Sequence, residues 1–167
     1  MMKILVFSDN HGEKENLLRI LKQHQDVERI FSLGDSEMKE TELSSLGIVG
    51  VKGNYPYEPK FPYELKFAFF DKKILLTHGH LHQVKSGISK LLIHAYAEGA
   101  DIVCFGHTHR TYLEKFDKLI VLNPGSLSTW RSNENPTYAI IDINEKMVSI
   151  KILNIYNNVV KDMEIKW

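Results

Sequence analysis

The sequence predicts an α/β fold in which two mixed sheets pack together and helices flank them. Three observations carry this. Residues before about Phe105 alternate short, continuous apolar runs with helix-like stretches, the pattern of strands covered on both faces and joined by crossovers. After His109 the pattern becomes all strand, with alternating segments separated by turn signals. Over 167 residues, 43% are hydrophobic and 25% charged, which is a globular composition on the scale of one domain, taken as 1–167.

The elements follow in order. Lys3–Ser8 (KILVFS) is a buried strand. Glu15–His24 is a helix with Leu17, Leu18 and Leu21 at helical spacing. Arg29–Leu33 and Ile48–Lys52 are further strands, each running into a glycine, and Ser36–Leu46 between them reads as a short helix or a loop. This succession argues for right-handed crossovers and a largely parallel sheet. Tyr55–Tyr63 contains Pro56, Pro59 and Pro62, so it is a loop that cannot join a sheet interior. Glu64–Phe70 and Lys73–Thr77 form a hairpin turned at Asp71-Lys72. Gly87–Glu98 is a helix ended by Gly99, and Asp101–Phe105 is another buried strand. Thr111–Phe116, Leu119–Leu122, Thr137–Ile143, Lys146–Tyr156 and Val159–Lys166 complete the strands, with turns at Asp117-Lys118 and Asn144-Glu145.

Charge and cysteine content exclude several classes. Twenty-one basic residues balance 21 acidic ones, so the excess that drives general nucleic-acid or membrane-surface binding is absent. One cysteine, Cys104, cannot form an internal disulfide and reads as core packing within its strand. The apolar run Ile4–Phe7 is too short for a secretory or membrane-spanning segment, so the expectation is a cytoplasmic protein without a membrane partner.

The unusual component is histidine, with 8 residues. Four of them fall at strand ends alongside other metal-competent side chains. Asp9 and His11 follow the first strand, Asp35 follows Gly34, and Asn54 follows Gly53. His78 precedes Gly79, and His107 and His109 follow Gly106. In open α/β sheets the C-terminal strand edge is where ligands bind. A lone strand-end aspartate is usually a helix cap or turn former; the ordered conjunction is what points to metal. Residues two apart on an extended chain point the same way, so Asp9/His11 and His107/His109 each offer a pincer. Seven such ligands exceed the usual three protein ligands of one catalytic zinc and suit two ions with a bridging carboxylate. Nitrogen and oxygen donors without thiolate favour manganese, iron, zinc or nickel. His24 and His94, on helices, read as structural, and His80 and His82 lie on a loop near His78.

The ordered set Asp9-Asn10-His11, Gly34-Asp35, Gly53-Asn54, His78-Gly79 and Gly106-His107-Thr108-His109 resembles the signature of the calcineurin-like metallophosphoesterase superfamily. Asn123-Pro124-Gly125-Ser126 is similar to a loop of its small members, and length and spacing look most like the compact bacterial and archaeal phosphodiesterases of the YfcE type. The resemblance implies a four-layer α/β/β/α sandwich. It also implies a centre of two divalent ions per chain, manganese first. Asp9, His11, Asp35 and His109 would hold one ion. Asp35, Asn54, His78 and His107 would hold the other, with Asp35 as the bridge. The activity implied is attack on a small aryl or nucleotide phosphodiester by a hydroxide between the ions, with Asp35, Asn54 and His11 as catalytic residues.

One departure stands out. Larger relatives have His and then an acidic residue after the Gly-Asn pair, and small ones often have Cys and Asp, whereas this chain has Tyr55-Pro56. The family's leaving-group acid is therefore missing, and His80, Tyr55 or a metal-bound water are the candidates to replace it. Arg131 is a candidate contact for the phosphoryl oxygens. Two other readings compete. One is a non-catalytic scaffold, like a relative in the retromer coat. The other is a nuclease on short single strands, although no stable nucleic-acid partner is expected. Trp130 and Trp167 permit a homodimer as readily as a monomer.

Overall fold

The computed structural model describes residues 1–56, 60–131 and 134–167. Among these residues, eleven strands form two sheets. The first contains β1 (Met2–Phe7), β2 (Arg29–Ser32), β3 (Ile48–Gly50), β9 (Thr137–Ile143), β10 (Met147–Asn154) and β11 (Val159–Lys166), in the order β11-β10-β9-β1-β2-β3. The second contains β4 (Glu64–Phe69), β5 (Lys72–Thr77), β6 (Ile102–Cys104), β7 (Thr111–Phe116) and β8 (Leu119–Pro124), in the order β4-β5-β6-β8-β7. Both sheets are mixed. β1, β2 and β3 run parallel, as do β5, β6 and β8; antiparallel strands flank the first group on the β9 side and the second group on both sides, and β3 is a parallel edge.

Among the described residues, three α-helices cover the sheets: α1 (Lys14–Gln23), α2 (Glu40–Ser45) and α3 (Ser89–Ala97). The apolar runs explain the layering. In β1, Ile4 and Val6 face the second sheet with Phe31, Leu76, Cys104 and Leu122. The alternate residues Leu5 and Phe7 pack outward with Leu17 and Ile20 of α1 and Leu43 of α2. On the far side, Leu75, Val103 and Val121 pack outward against Leu91 and Ala95 of α3. Three apolar interfaces therefore separate four layers, α/β/β/α, and central strands buried on both faces need the continuous hydrophobic runs seen in the sequence.

Several boundaries differ from the sequence reading. The ambiguous stretch Ser36–Leu46 contains a helix, α2, only over Glu40–Ser45. The β4–β5 hairpin turns at Phe70-Asp71, one residue earlier than expected. Both have positive φ, +51° and +62°, which is the two-residue turn that matches strand twist. β8 extends through Pro124, so Asn123 and Pro124 belong to a strand end. Two short 3-10 turns, His80–His82 and Val84–Ser86, precede α3, and the expected start of that helix at Gly87 moves to Ser89. The proline-rich Tyr55–Tyr63 loop lies partly outside the described residues, at 57–59; the Lys52 N–H donates to the Pro62 carbonyl at 2.8 Å beside β3. No helix among the described residues is long and apolar enough to cross a membrane.

Candidate metal centre

The C-terminal ends of the parallel strands of both sheets converge on one site. Asp9 and His11 follow β1, Asp35 follows β2, Asn54 follows β3, His78 follows β5, and His107 and His109 follow β6. The donor atoms of Asp9, His11 and His109 lie within 4.8 Å of one another, as do those of Asp35, His78 and His107. Asp9 Oδ1 is 3.8 Å from His78 Nε2, so the two groups adjoin. Asn54 Oδ1 lies 3.1 Å from the same nitrogen.

The expected pincers form, but not from extended chain. Asp9, His11, His107 and His109 have φ of +53°, +43°, +67° and +59°, and Asp35 has +51°. Left-handed backbone is uncommon and strained for residues other than glycine, and it collects at functional sites. Here it folds each ligand inward after its strand. Two glycines make room. A Cβ on Gly53 would fall 2.0 Å from Asp35 Oδ1, and one on Gly106 would fall 2.0 Å from Ser8 Oγ and 2.7 Å from Asp9 Oδ2.

Hydrogen bonds fix which nitrogen of three rings faces inward. His78 donates Nδ1–H to the Leu33 carbonyl at 2.7 Å, so a neutral ring turns its Nε2 lone pair toward Asn54 Oδ1 and toward Asp35 Oδ2, 3.4 Å away. His11 donates Nδ1–H to Glu37 Oε1 at 2.6 Å, and His109 donates Nδ1–H to the Arg131 carbonyl at 3.3 Å. Their Nε2 atoms then face each other at 3.2 Å, with Asp9 Oδ1 3.1 Å from that of His109. Lone pairs aimed at other acceptors repel unless a proton or a metal ion lies between them. This nitrogen and carboxylate donor set, with its outer nitrogens already tied, fits divalent ions.

The same crowding shifts the proton affinities. Burial alone would raise Asp9, but the hydrogen bond with His109, the neighbouring His78 and the Ser8 hydroxyl outweigh it and hold its pKa below the usual value. Asp35, also opposed by burial, is brought down to about 2 by His78 and the Tyr55 N–H. Burial would lower His78, yet the Asp35 and Asp9 carboxylates raise it above the ordinary imidazole value. His107 goes down to about 4, through burial and then the adjacent His78.

The remaining candidates have different placements. Tyr55 is half-buried, and its N–H donates to Asp35 Oδ1 at 2.9 Å. The His80 ring lies 5.3 Å from that of His78 and 6.1 Å from that of His107, and its buried Nδ1 has no hydrogen-bond partner among the described residues. The Arg131 side chain is exposed and lines a cavity shared with His109. His24 hydrogen-bonds the Tyr138 hydroxyl at 2.7 Å. His94 joins Glu64 and Glu98 in a separate cluster on the far side of the second sheet, where Lys66 already supplies a cation to both carboxylates.

Sequence reasoning missed the residues that hold these ligands. Ser8 and the His107 N–H both donate to Asp9 Oδ2. Asn123 donates to the Gly106 carbonyl at 3.0 Å and Ser126 to the Asp9 carbonyl at 2.8 Å, which gives the Asn-Pro-Gly-Ser segment a positional task. For Glu37 the one available signal was its place two residues after Asp35.

A family model for the calcineurin-like phosphoesterase superfamily domain matches residues 2–146. The chain belongs to the calcineurin-like phosphoesterase superfamily. Within this superfamily it is 32% identical to a probable metallophosphoesterase, YsnB, of Bacillus subtilis, over 98% of this chain and 97% of that one. It is 29% identical to the phosphodiesterase MJ0936 of Methanocaldococcus jannaschii, over 87% and 95%. A solved structure from Streptococcus pneumoniae, described as a predicted phosphoesterase, superposes with a TM-score of 0.88 at 29% identity, covering 99% of this chain and 98% of that one. Membership makes this chain a member of a family of phosphoester hydrolases that bind divalent metals.

Proposed function

We propose that this protein is a metal-dependent phosphodiesterase acting on small diesters. The observation that carries the reading is the pair of adjoining donor groups, in which hydrogen bonds turn the Nε2 atoms of His11, His78 and His109 inward. Two divalent ions bound there, manganese first, would supply a hydroxide nucleophile near neutral pH and positive charge at phosphorus. Asp9, His11, Asp35 and His109 hold one ion in this reading. Asp35, Asn54, His78 and His107 would hold the other, with Asp35 shared between them. The Asn54 Nδ2 would orient a non-bridging oxygen, and the Tyr55 N–H keeps the Asp35 carboxylate in register; His11, with Nδ1–H held by Glu37 and Nε2 turned inward, would act through the metal. In the net reaction water oxygen bonds to phosphorus, the bond to the leaving oxygen breaks, and that oxygen takes a proton.

Tyr55 stands where relatives carry their leaving-group acid. Losing a general acid costs typically 10²–10⁴-fold with a poor leaving group. The favoured substrates are therefore diesters with good leaving groups, with His80 as the nearest imidazole able to assist. The scaffold reading leaves the seven donors and their tautomer-fixing partners without a task.

The test is hydrolysis of an aryl phosphodiester and an aryl phosphomonoester by the Mn²⁺-loaded protein, with metal content measured alongside. The expected result is diester turnover with about two ions per chain, with His107→Ala abolishing the turnover and lowering the metal content. Inactivity on both esters in a fully loaded protein would sink the proposal.

A further inference from the structure

The chain has no net charge, yet its cations are unevenly placed beside the metal centre. A cavity of about 840 Å³ opens where β7 and β11, edge strands of the two sheets, come together. His109 forms part of its wall. So do Arg110, Arg131 and Lys161, against one carboxylate, Glu134, among the described residues. None of these three cations pairs with a carboxylate among the described residues, and all three are exposed. Arg110 follows His109 directly, and the Arg131 carbonyl holds the His109 ring, so two of the cations are tied to a proposed metal ligand.

The preceding residue, Trp130, is 86% exposed. Its backbone is nevertheless fixed, because its N–H donates to Glu13 Oε1 and to Ser128 Oγ, each at 3.3 Å. An indole held out in water on an anchored backbone is a stacking surface, and no ring stacks on it among the described residues.

These features exceed what a bare diester needs. A diester carries a single negative charge, which two divalent ions already answer. Three further cations suit a substrate with a second anionic group. The volume lies in the range of about 300–1,000 Å³ typical of small-molecule sites, large enough for a nucleotide rather than a lone phosphate. We propose that this cavity is a nucleotide subsite. A nucleoside attached to the scissile phosphate reaches across it toward Trp130, which adjoins Arg131 in the chain but lies outside the lining, and a second phosphate on that nucleoside is held by Arg110, Arg131 and Lys161. This inference rests on the phosphodiesterase reading and names its substrate class.

The test compares two chromogenic diesters that differ by one phosphate. They are thymidine 5′-(4-nitrophenyl phosphate) and the same compound phosphorylated at its 3′ oxygen. With the metal-loaded protein, the 3′-phosphate should raise kcat/KM by about 10-fold, since charge-assisted contacts are the strong ones. Arg110→Ala and Lys161→Ala should each reduce that ratio several-fold. High salt should shrink it as well, because exposed cations are screened. Trp130→Ala should slow both nucleoside esters relative to bis(4-nitrophenyl) phosphate. Equal kcat/KM for the two thymidine esters, or a preference that survives both cation variants, would overturn the subsite.

If none of the three esters is hydrolysed, the phosphodiesterase reading fails, and binding then decides the subsite. In Trp167→Phe protein, thymidine 3′,5′-bisphosphate should quench Trp130 fluorescence saturably and Arg110→Ala should weaken that binding several-fold. Absence of quenching would overturn the subsite by itself.

Discussion

At the scale of single residues, the site depends on backbone that side chains rarely adopt. Asp9, His11, Asp35, His107 and His109 are all left-handed, and the glycines between them leave space for carboxylates. Gly53→Ala tests this. Its Cβ would overlap Asp35 Oδ1, and the Asp35 backbone nitrogen, 2.9 Å away, blocks simple accommodation. The Asp35 carboxylate has to shift. Activity should fall at least 10²-fold with a stability loss of about 1–3 kcal/mol, the ordinary cost of overpacking. Wild-type turnover by this variant would show that Asp35 need not sit where it does. Glu37→Gln tests the outer partner of His11. Outer partners of metal ligands are typically worth 10–100-fold in metal affinity. Metal titration should show that loss, with turnover largely restored at saturating metal; unchanged affinity would remove Glu37 from the site.

At the scale of elements, the segment between β8 and β9 illustrates how one carboxylate organises a loop. Glu13, just before α1, accepts from the Ser128 hydroxyl and from the N–H groups of Thr129 and Trp130. That grip leads into Arg131, whose carbonyl orients His109. Burial opposes charge on Glu13, but the Thr129 and Ser128 hydrogen bonds outweigh it and leave its pKa below the usual 4.5. The sign follows. A carboxylate lowered on folding stabilises above its unfolded pKa, and the contribution is lost as pH falls through the folded value. Glu13→Ala should therefore cost about 1–2 kcal/mol at pH 7. Denaturant titrations of the two proteins should converge as pH is lowered below about 4; a gap constant with pH would mean the charge is not what holds the loop.

Glu13 also marks where the sequence stops being informative. Asp9, His11, Asp35, Asn54, His78, His107 and His109 were legible because each follows an apolar run that can only be a covered strand. The spacing argument named residues that the fold does bring together, but it assumed extended chain where the backbone is left-handed. Glu13 and Glu37 carry no such flag, because the partners that give them these tasks, Ser128 to Trp130 and His11, are more than twenty residues away. The strand order was equally hidden. β8 lies between β6 and β7, and β9 crosses to pair with β1, through contacts that no local pattern encodes.

At the scale of the whole molecule, the fold and the metal centre have separable sources of stability. Three apolar interfaces hold the four layers, and none includes a proposed metal ligand. The centre instead draws together loops from both sheets, each contributing charge or lone pairs that repel when nothing lies between them. Metal should act as a clamp across the layers without being needed to form them. A ligand that binds only the folded state stabilises by mass action, about 4 kcal/mol at a thousand-fold excess over Kd. For a chain of this size, each kcal/mol moves Tm by about 2–4 °C. Exhaustive chelation should therefore lower Tm by roughly 10 °C while far-UV circular dichroism at 25 °C stays native-like. Adding Mn²⁺ back should restore Tm in the wild type and only partly in His107→Ala, which removes one donor. A Tm indifferent to saturating metal would mean that the donors do not capture an ion in the folded protein. Loss of secondary structure on chelation would mean that the layers depend on the metal after all.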